Sequence, residues 1–152
     1  LLDVNLMLDE VVELFRNMFN ISNITLRLDK DSELPRVSGD RIRLQQVVMN
    51  LISNALDAMR SGALSILTVR SSMQLHDGIT VSIIDTGPGI DDSLKDKLFD
   101  PFFTTKKAGL GIGLRLCRAI IEEHGGRIWV EDNPDGGAIF HFTLKTDQGN
   151  FE

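Results

Sequence analysis

One amphipathic segment limits the fold of this chain more than any other feature. Residues 43–59 read RLQQVVMNLISNALDAM, and their apolar side chains recur at helical spacing, which predicts a long helix with one buried face. Asp40 stands where the N-cap of that helix is expected, and Gly62 follows its end. Such a helix needs a second layer of structure to cover its apolar face. The apolar positions are Leu44, Val47, Val48, Leu51, Ile52, Ala55 and Met59.

The remaining patterns predict further helices and the sheet that forms that second layer. Residues 4–20 and the stretch that runs from Gly113 to Gly125 have helical spacing, and residues 93–98 form a short further helix. Alternating segments separated by turn residues predict strands and hairpins. Together they indicate an α+β, two-layer α/β sandwich, with a mixed sheet of about five strands and about three main helices on one face. The predicted strands are residues 24–28, 63–72, 79–84, 127–131 and 138–145. On the fourth of them, Trp129 and Val130 are expected to be core residues rather than cofactor contacts.

Size, charge and cysteine content narrow the classes of function. A chain of 152 residues fits one domain, and it starts on Leu1, so we expect a piece of a longer protein. The net charge of -6 argues against nucleic acid as the main partner, because phosphate neutralisation needs a basic face. No run reaches the ~20 apolar residues of a membrane-spanning helix. The single Cys117 excludes an internal disulfide and is expected to be a buried thiol in a reducing compartment.

A polar stripe follows one edge of the long predicted helix. Asn50, Asn54 and Asp57 are spaced at i, i+4 and i+7, although asparagine is a poor helix former. A carboxamide oxygen is a suitable ligand for Mg²⁺, and the amide NH₂ can donate to phosphate oxygens. The stripe alone is equally typical of a solvated helix edge, so both interpretations stay open at this point.

The loop DTGPGI, residues 85–90, directly follows the predicted strand at 79–84. Its two glycines, Gly87 and Gly89, allow the backbone to approach a flat ring closely. The carboxylate of Asp85 only accepts hydrogen bonds, so it suits an exocyclic amine such as that of adenine. An ordinary turn that begins with an aspartate is the alternative, and the loop by itself favours that alternative.

A glycine-rich segment, GLGIGL at 109–114, opens the last predicted helix. Its glycines allow backbone amides to surround phosphate at a helix N-terminus, and Lys106 just upstream adds a cation. The segment does not follow a strand directly, which excludes a dinucleotide-binding fold, and a P-loop motif is absent from the sequence. In the aromatic loop before it, we expect Phe99 to plug the core, and Phe102 and Phe103 to anchor a mobile lid.

Taken together and in this order, these segments resemble the catalytic domain of histidine kinases, within the superfamily that also holds gyrase, Hsp90 and MutL. The phrases NALDAM and FFTTKKAGLGIGL look most like the nitrogen-regulation or oxygen-sensing kinases. Each motif is weak alone, and their order gives the resemblance its specificity. The segments look like the N box (46–59), the G1 box (85–90), the F box (98–105) and the G2 box (109–114), followed by the stretches at 124–126 and 136–140.

The resemblance implies a Bergerat fold with ATP between the helical layer and a lid formed by residues 106–113. By analogy, Asp85 would bind the adenine amine, Asn54 would ligate Mg²⁺, and Asn50 would help to place the phosphates. Asn50 and Lys106 are the expected catalytic residues. The full expected nucleotide-binding set is Asn50, Asn54, Asp57, Asp85, Gly87, Gly89, Ile90, Thr105, Lys106, Gly109, Leu110, Gly111, Gly113 and Leu114.

One departure separates this chain from the ATPases of the superfamily. Those relatives carry a glutamate four residues before the metal-binding asparagine, whereas this sequence has Asn50 there. An amide is not a general base, so phosphoryl transfer is expected rather than fast hydrolysis. Asp77-Gly78 marks a hairpin turn, which argues against His76 as the phosphorylated residue. We expect His76, His124 and His141 all to be structural or surface residues.

The resemblance also predicts the partners. Residues 1–152 would be one catalytic domain of a sensor histidine kinase, and the sensor and dimerisation domains would lie elsewhere. The γ-phosphate of ATP would pass to a histidine on a separate helical domain and then to a response regulator. We expect a monomeric, cytoplasmic domain without direct membrane contact, while anchoring of the full-length protein to the inner membrane stays open. A serine kinase of the same superfamily and a nucleotide-switched binding module without transfer are the alternatives.

Overall fold

The computed structural model describes residues 1–60, 64–74, 78–100 and 113–146. Gly78 belongs to a strand, and the rest of the predicted turn at 76–78 lies outside these ranges. The described elements, in chain order, are α1 (Val4–Ile21), β1 (Thr25–Lys30), α2 (Arg41–Ala58), β2 (Ile66–Gln74), β3 (Gly78–Ile84), α3 (Asp92–Lys95), α4 (Gly113–Glu123), β4 (Ile128–Asp132) and β5 (Ala138–Leu144).

The strands form one mixed sheet in the order β1-β2-β3-β5-β4. β1 and β2 are parallel, and every other neighbouring pair is antiparallel. A parallel pair cannot be joined by a tight turn, so the chain crosses between these two strands through α2. The predicted α+β class, with a mixed sheet of about five strands, is confirmed. This topology brings the end of β3 beside the start of β5, where Ile84 pairs with Ile139.

The two long helices begin at aspartate caps. The Asp3 carboxylate accepts from the backbone N–H of Leu6 at 3.1 Å, and Asp40 accepts from Arg43 at 3.2 Å. Each cap satisfies a backbone donor that the first helical turn leaves unpaired. None of the described helices is long and apolar enough to cross a bilayer. The apolar face predicted for α2 is confirmed, with Leu44, Val47, Val48, Leu51, Ile52, Ala55 and Leu56 buried against the sheet and its neighbouring helices.

The helix α1 packs with a narrower face than its apolar residues suggest. Leu14 and Met18 share its helical spacing, but their exposed fractions are 69% and 50%. They lie on the side of α1 that faces away from the core. Burial of each of the other apolar side chains stabilises the fold by about 1.5–3 kcal/mol. The buried face of α1 consists of Val4, Met7, Leu8, Val11, Val12, Phe15 and Phe19.

The two faces of the sheet have different environments. Val130 on β4 packs against the core beneath the helices, as predicted. The neighbouring Trp129 points to the opposite face, because successive side chains of a strand alternate. There its ring stacks on His141 at 5.1 Å between centroids, and the Arg127 guanidinium lies 4.4 Å from the ring centroid. The interpretation of Trp129 as a core residue is therefore wrong.

Candidate functional site

Asp85 is the one buried acidic or basic residue within the described ranges, with 3% of its surface exposed. It directly follows β3, and its Oδ1 accepts hydrogen bonds from the backbone N–H of Gly87 at 2.9 Å and of Ala138 at 3.1 Å. An unpaired carboxylate is costly to bury, and these two donors lower that cost. A buried carboxylate directed by backbone groups is a ready acceptor for a ligand donor.

The ionisation of Asp85 reflects two opposing effects. Burial raises the pKa of its carboxyl above the ordinary value of 3.8, and the hydrogen bonds from the backbone of Gly87 and Ala138 oppose that rise. The charged form is therefore less stable in the fold than in water, and a ligand that donates a hydrogen bond to the carboxylate would compensate for the loss.

Glycine is needed at the two predicted positions of the loop for different structural reasons. A Cβ on Gly87 would lie 2.9 Å from the carbonyl oxygen of Ala58, so this glycine lets the loop pass close to the end of α2. Gly89 has φ of +81°, in the region that side chains rarely adopt. Ile90 packs against the core and holds the far end of the loop. The loop is thereby held between α2 and the sheet, with Asp85 at its root.

Thr86 secures the same loop from the other side, although no pattern in the sequence marks it as a site residue. Its hydroxyl donates to the carbonyl oxygen of Leu64 at 2.8 Å and accepts from the backbone N–H of Ile66 at 3.0 Å. These bonds link the loop to the connection that enters β2. A threonine beside a Gly-rich turn is common in sequences, so its role appears only once β2 and β3 are paired.

A second contribution absent from the sequence prediction comes from the turn between β4 and β5, residues 133–137. The Asn133 amide donates to the carbonyl oxygen of Asp85 at 2.9 Å. Gly137, with φ of +107°, passes so close that a Cβ there would lie 2.1 Å from the same oxygen. The pattern NPDGG did predict a turn. Its contact with Asp85 depends on strand order, which turn residues do not encode.

The polar stripe of α2 leads from this loop to the beginning of α4. Asn50 lies beside α4, since a Cβ on Gly113 would be 3.5 Å from the Asn50 Oδ1. Ala58, two helical turns further along the same edge, contacts Gly87. Asn54 stands between them at i+4 and is half-buried. The edge therefore connects the Asp85 loop with the N-terminus of α4, which is the geometry expected for an elongated ligand with an anionic end.

Asp57, the third member of the stripe, is placed differently. Its carboxylate accepts from the Arg60 guanidinium at 2.7 Å. It also lines a cavity of about 300 Å³ that includes Met18 of α1 and Ile24, the residue just before β1. The structure thus brings Asp57 to the α1 side of α2, and its assignment to the nucleotide stays a prediction.

Some predicted positions can be compared with the structure, and others lie outside the described residues. Leu98 is buried, and the Phe99 ring packs edge-on against Phe140 with centroids 6.5 Å apart, which confirms Phe99 as a core plug. Gly113 and Leu114 begin α4, and Leu114 packs against the core. The predictions outside the described residues concern Phe102, Phe103, Thr105, Lys106, Gly109, Leu110 and Gly111.

The buried thiol and one of the histidines have structural positions. Cys117 is buried under α2, and burial raises the pKa of its thiol to about 12, which makes a catalytic thiolate untenable. The His124 ring connects two helices: its Nδ1 lies 2.7 Å from the carbonyl oxygen of Ile120, and its Nε2 accepts from the backbone N–H of Asp40 at 3.0 Å. Both predictions, an inert thiol and a structural His124, agree with these positions.

The fold and this site define a class of protein. The profile of the family described as "Histidine kinase-, DNA gyrase B-, and HSP90-like ATPase" matches residues 39–148, so the chain belongs to that family. Within the family it is an ATP-binding catalytic domain of the histidine kinase type. The catalytic domain of the histidine kinase ThkA, in a nucleotide-free form, is 38% identical with a TM-score of 0.86, and the match covers 98% of this chain and 97% of that domain.

Two further similarities involve longer proteins. The sensor protein FixL of Bradyrhizobium diazoefficiens is 44% identical over 128 residues, which are 84% of this chain and 25% of FixL. The chain thus spans about a quarter of the length of that relative. The structure of ThkA in complex with the response regulator protein TrrA is 34% identical with a TM-score of 0.82, and the match covers 99% of this chain and 42% of the ThkA chain. The predicted membership of the histidine kinase group is confirmed.

Proposed function

We propose that this domain binds ATP·Mg²⁺ and transfers the γ-phosphate to a histidine of a separate helical domain, from which a response regulator receives it. The observation that carries the proposal is the buried carboxylate of Asp85 at one end of the α2 edge, with Asn50 beside the N-terminus of α4 at the other. The base would bind at the first end and the phosphates at the second.

At the base end, Asp85 would accept a hydrogen bond from the exocyclic amine of adenine. Its Oδ1 already accepts two backbone N–H bonds, so Oδ2 is the oxygen assigned to the ligand. A carboxylate opposite the carbonyl of a guanine or hypoxanthine base would face another acceptor and repel it. Gly87 and Gly89 keep the wall of the pocket free of side chains, as the resemblance implies.

At the phosphate end, the chemistry of the donors fits a magnesium ion that is shared with the nucleotide. Mg²⁺ in such sites takes one or two protein oxygens and completes its shell with phosphates and water. The described residues contain no group of three or more His, Cys, Asp or Glu side chains that could hold a metal without the nucleotide. Asn54 would contribute its amide oxygen, and bound Mg²⁺ would neutralise charge on the triphosphate. Asn50 and Lys106 would place the γ-phosphate.

The amide at position 50 favours transfer over hydrolysis. Transfer breaks the bond between the γ-phosphorus and the bridging oxygen of ADP and forms a phosphorus–nitrogen bond to the imidazole. This step depends on positioning and charge neutralisation, and it needs no base that activates water. Asn50 cannot act as such a base. The acceptor histidine, the response regulator and the cytoplasmic location, where ATP is available and Cys117 stays reduced, belong to this proposal.

A titration with one isosteric variant tests the adenine site. The amide in Asp85→Asn can keep both backbone bonds through its oxygen, but it turns an N–H donor toward the adenine amine. Binding of ADP, measured calorimetrically with and without Mg²⁺, should weaken by roughly 10- to 150-fold, the value of a hydrogen bond to a charged group. Equal affinity of the two proteins for ADP would contradict the role of Asp85.

A labelling experiment tests the transfer. The chain is mixed with ATP·Mg²⁺ and a helical domain that carries an acceptor histidine, and the phosphate is followed on that domain. Acid-labile label is expected, because phosphohistidine hydrolyses in acid. Acid-stable label would indicate a serine kinase, and nucleotide binding without any label would favour the binding module.

A further inference from the structure

The turn between β4 and β5 holds the amide of Asn133 in one orientation. Its Oδ1 accepts from the backbone N–H of Asp135 at 3.2 Å, and its Nδ2 donates to the carbonyl oxygen of Asp85 at 2.9 Å. A backbone N–H can only donate and a carbonyl oxygen can only accept, so the two partners fix which end of the amide points where. The side chain is therefore a rigid link between the turn and the Asp85 loop.

The bond from Asn133 is one of several that immobilise Asp85. The backbone N–H of Asp85 donates to the Ala138 carbonyl oxygen at 3.0 Å, and the Ala138 N–H donates back to the Oδ1 of the same aspartate. These bonds hold the N–H and the carboxylate, whereas Asn133 holds the carbonyl oxygen on the other side of the Cα. The direction of a side chain follows from the backbone on both sides of its Cα, so each of these bonds helps to aim the carboxylate.

The same turn also supports the far side of the loop. Gly137 passes within van der Waals distance of Gly89, where a Cβ would lie 3.3 Å from the Gly137 carbonyl oxygen. The turn itself is closed by bonds from the Asn133 N–H to the Gly137 carbonyl at 3.0 Å and from the Gly136 N–H to the Asn133 carbonyl at 2.9 Å. Asn133 is thus fixed at the base of a closed turn that contacts both ends of the Asp85 loop.

We infer that Asn133 is a positioning residue for adenine recognition: its amide locks the peptide that follows Asp85, and this aims the carboxylate at the amino group of the base. The inference rests on the proposed binding of ATP and adds to it a residue that determines base selectivity without touching the nucleotide. Loss of the amide donor should leave the phosphate end unchanged and weaken only the part of the affinity that depends on the adenine amine.

Two variants remove the donor in different ways. Asn133→Ala removes both hydrogen bonds of the side chain. Asn133→Asp keeps an oxygen for the Asp135 N–H, and with it the turn, but has no donor for the Asp85 carbonyl. The matched control is Asp135→Asn, an exposed change in the same turn that keeps the backbone N–H and alters the charge by one unit in the direction opposite to Asn133→Asp.

The assay compares two nucleotides in calorimetric titrations: ADP, and the 5′-diphosphate of purine riboside, which lacks the amino group. The unsubstituted chain should prefer ADP. Both Asn133 variants should lose about fivefold in affinity for ADP, the equivalent of one neutral hydrogen bond, and less than twofold for the analogue. The control should keep both affinities. Thermal unfolding of every variant is recorded in parallel. If Asn133→Ala is unfolded, the comparison rests on Asn133→Asp.

The outcomes separate this inference from the proposed function. An unsubstituted chain that binds both nucleotides equally, or neither, would overturn adenine recognition by Asp85 and the role of Asn133 together. If the unsubstituted chain prefers ADP, the positioning role of Asn133 is refuted when the variants bind ADP with normal affinity. It is also refuted when their affinities for both nucleotides fall to the same extent, as general damage to the fold would cause. Unfolding of both variants would also overturn it, because the residue would then serve folding.

Discussion

Substitutions at two adjacent glycines allow the contribution of the contact between the β4–β5 turn and Asp85 to stability and to nucleotide binding to be measured. Gly136 and Gly137 both have positive φ, +95° and +107°, so a side chain at either position is strained. Their surroundings differ. A Cβ on Gly136 would meet no heavy atom within 4 Å, whereas a Cβ on Gly137 would lie 2.1 Å from the backbone oxygen of Asp85. Alanine at each position therefore separates backbone strain from the contact itself.

The expected losses of stability follow from this geometry. Strain at a positive φ costs about 1–3 kcal/mol, and it applies to both variants. Gly137→Ala must also move the turn away from Asp85 by more than an ångström, which opens the two hydrogen bonds between Asp85 and Ala138 at 3.0 and 3.1 Å. At about 1 kcal/mol each, these bonds add about 2 kcal/mol to the free energy that Gly137→Ala loses.

Thermal unfolding, followed by circular dichroism, measures the difference. About 2 kcal/mol corresponds to a gap of about 4–8 °C between the two unfolding temperatures for a domain of this size. ADP titration should show weaker binding by Gly137→Ala and nearly unchanged binding by Gly136→Ala, since only the former displaces Asp85. Equal unfolding temperatures and equal ADP affinities would refute the conclusion that the turn holds the site.

Three further predictions concern a buried carboxyl, a buried thiol and a half-buried histidine. Asp85→Asn should raise the unfolding temperature of the nucleotide-free chain at pH 7, because the raised pKa of Asp85 means that the fold loses stability as its carboxyl ionises. This gain in unfolding temperature should vanish as the pH falls toward the ordinary pKa of 3.8. A difference in unfolding temperature between the two proteins that stays constant from pH 4 to 7 would contradict this. Cys117 should resist a thiol reagent at pH 8 in the native chain and react when the chain is unfolded in urea, since its thiol has a pKa of about 12; rapid native labelling would contradict its burial. His124→Ala should lower the free energy of unfolding by about 1–3 kcal/mol, because it leaves the Asp40 N–H and the Ile120 carbonyl without their side-chain partner, and urea denaturation at pH 7 that shows no loss would exclude the bridge between α2 and α4.

The parts of the fold that local chemistry determines could be predicted from the sequence. The helix α2 follows from its apolar period and from Asp40 at its N-cap, and both signals are contained within one stretch of chain. The Asp85 loop could be recognised because an acid and two glycines follow a strand directly. Residues of this kind carry their signal within a few positions, so pattern and structure agree.

The features of the site that could not be predicted from the sequence depend on which strands become neighbours in the sheet. Asn133 bonds to Asp85 across 48 positions of sequence, and this contact exists only because β5 lies beside β3. The glycines of the turn would be equally suitable for an isolated hairpin, so their close approach to Asp85 is invisible in the pattern. The prediction that Trp129 is a core residue is wrong for a related reason. Its strand has one face on the core, and the hydrophobicity of the ring does not indicate on which face the side chain lies.

The two ends of the proposed site are built by different parts of the chain, and this separates their effects on the reaction. Asp85 is held by strand ends, by Thr86 and by the β4–β5 turn, whereas Asn50 and Asn54 are held by packing of α2 near α4. The adenine ring does not react, so its contacts stabilise the bound substrate and the transition state equally. Variants at the base end should therefore raise KM and leave the transfer rate at saturation unchanged. Variants of Asn50 should lower that rate, because the contacts of the phosphates change as the γ-phosphorus bond breaks.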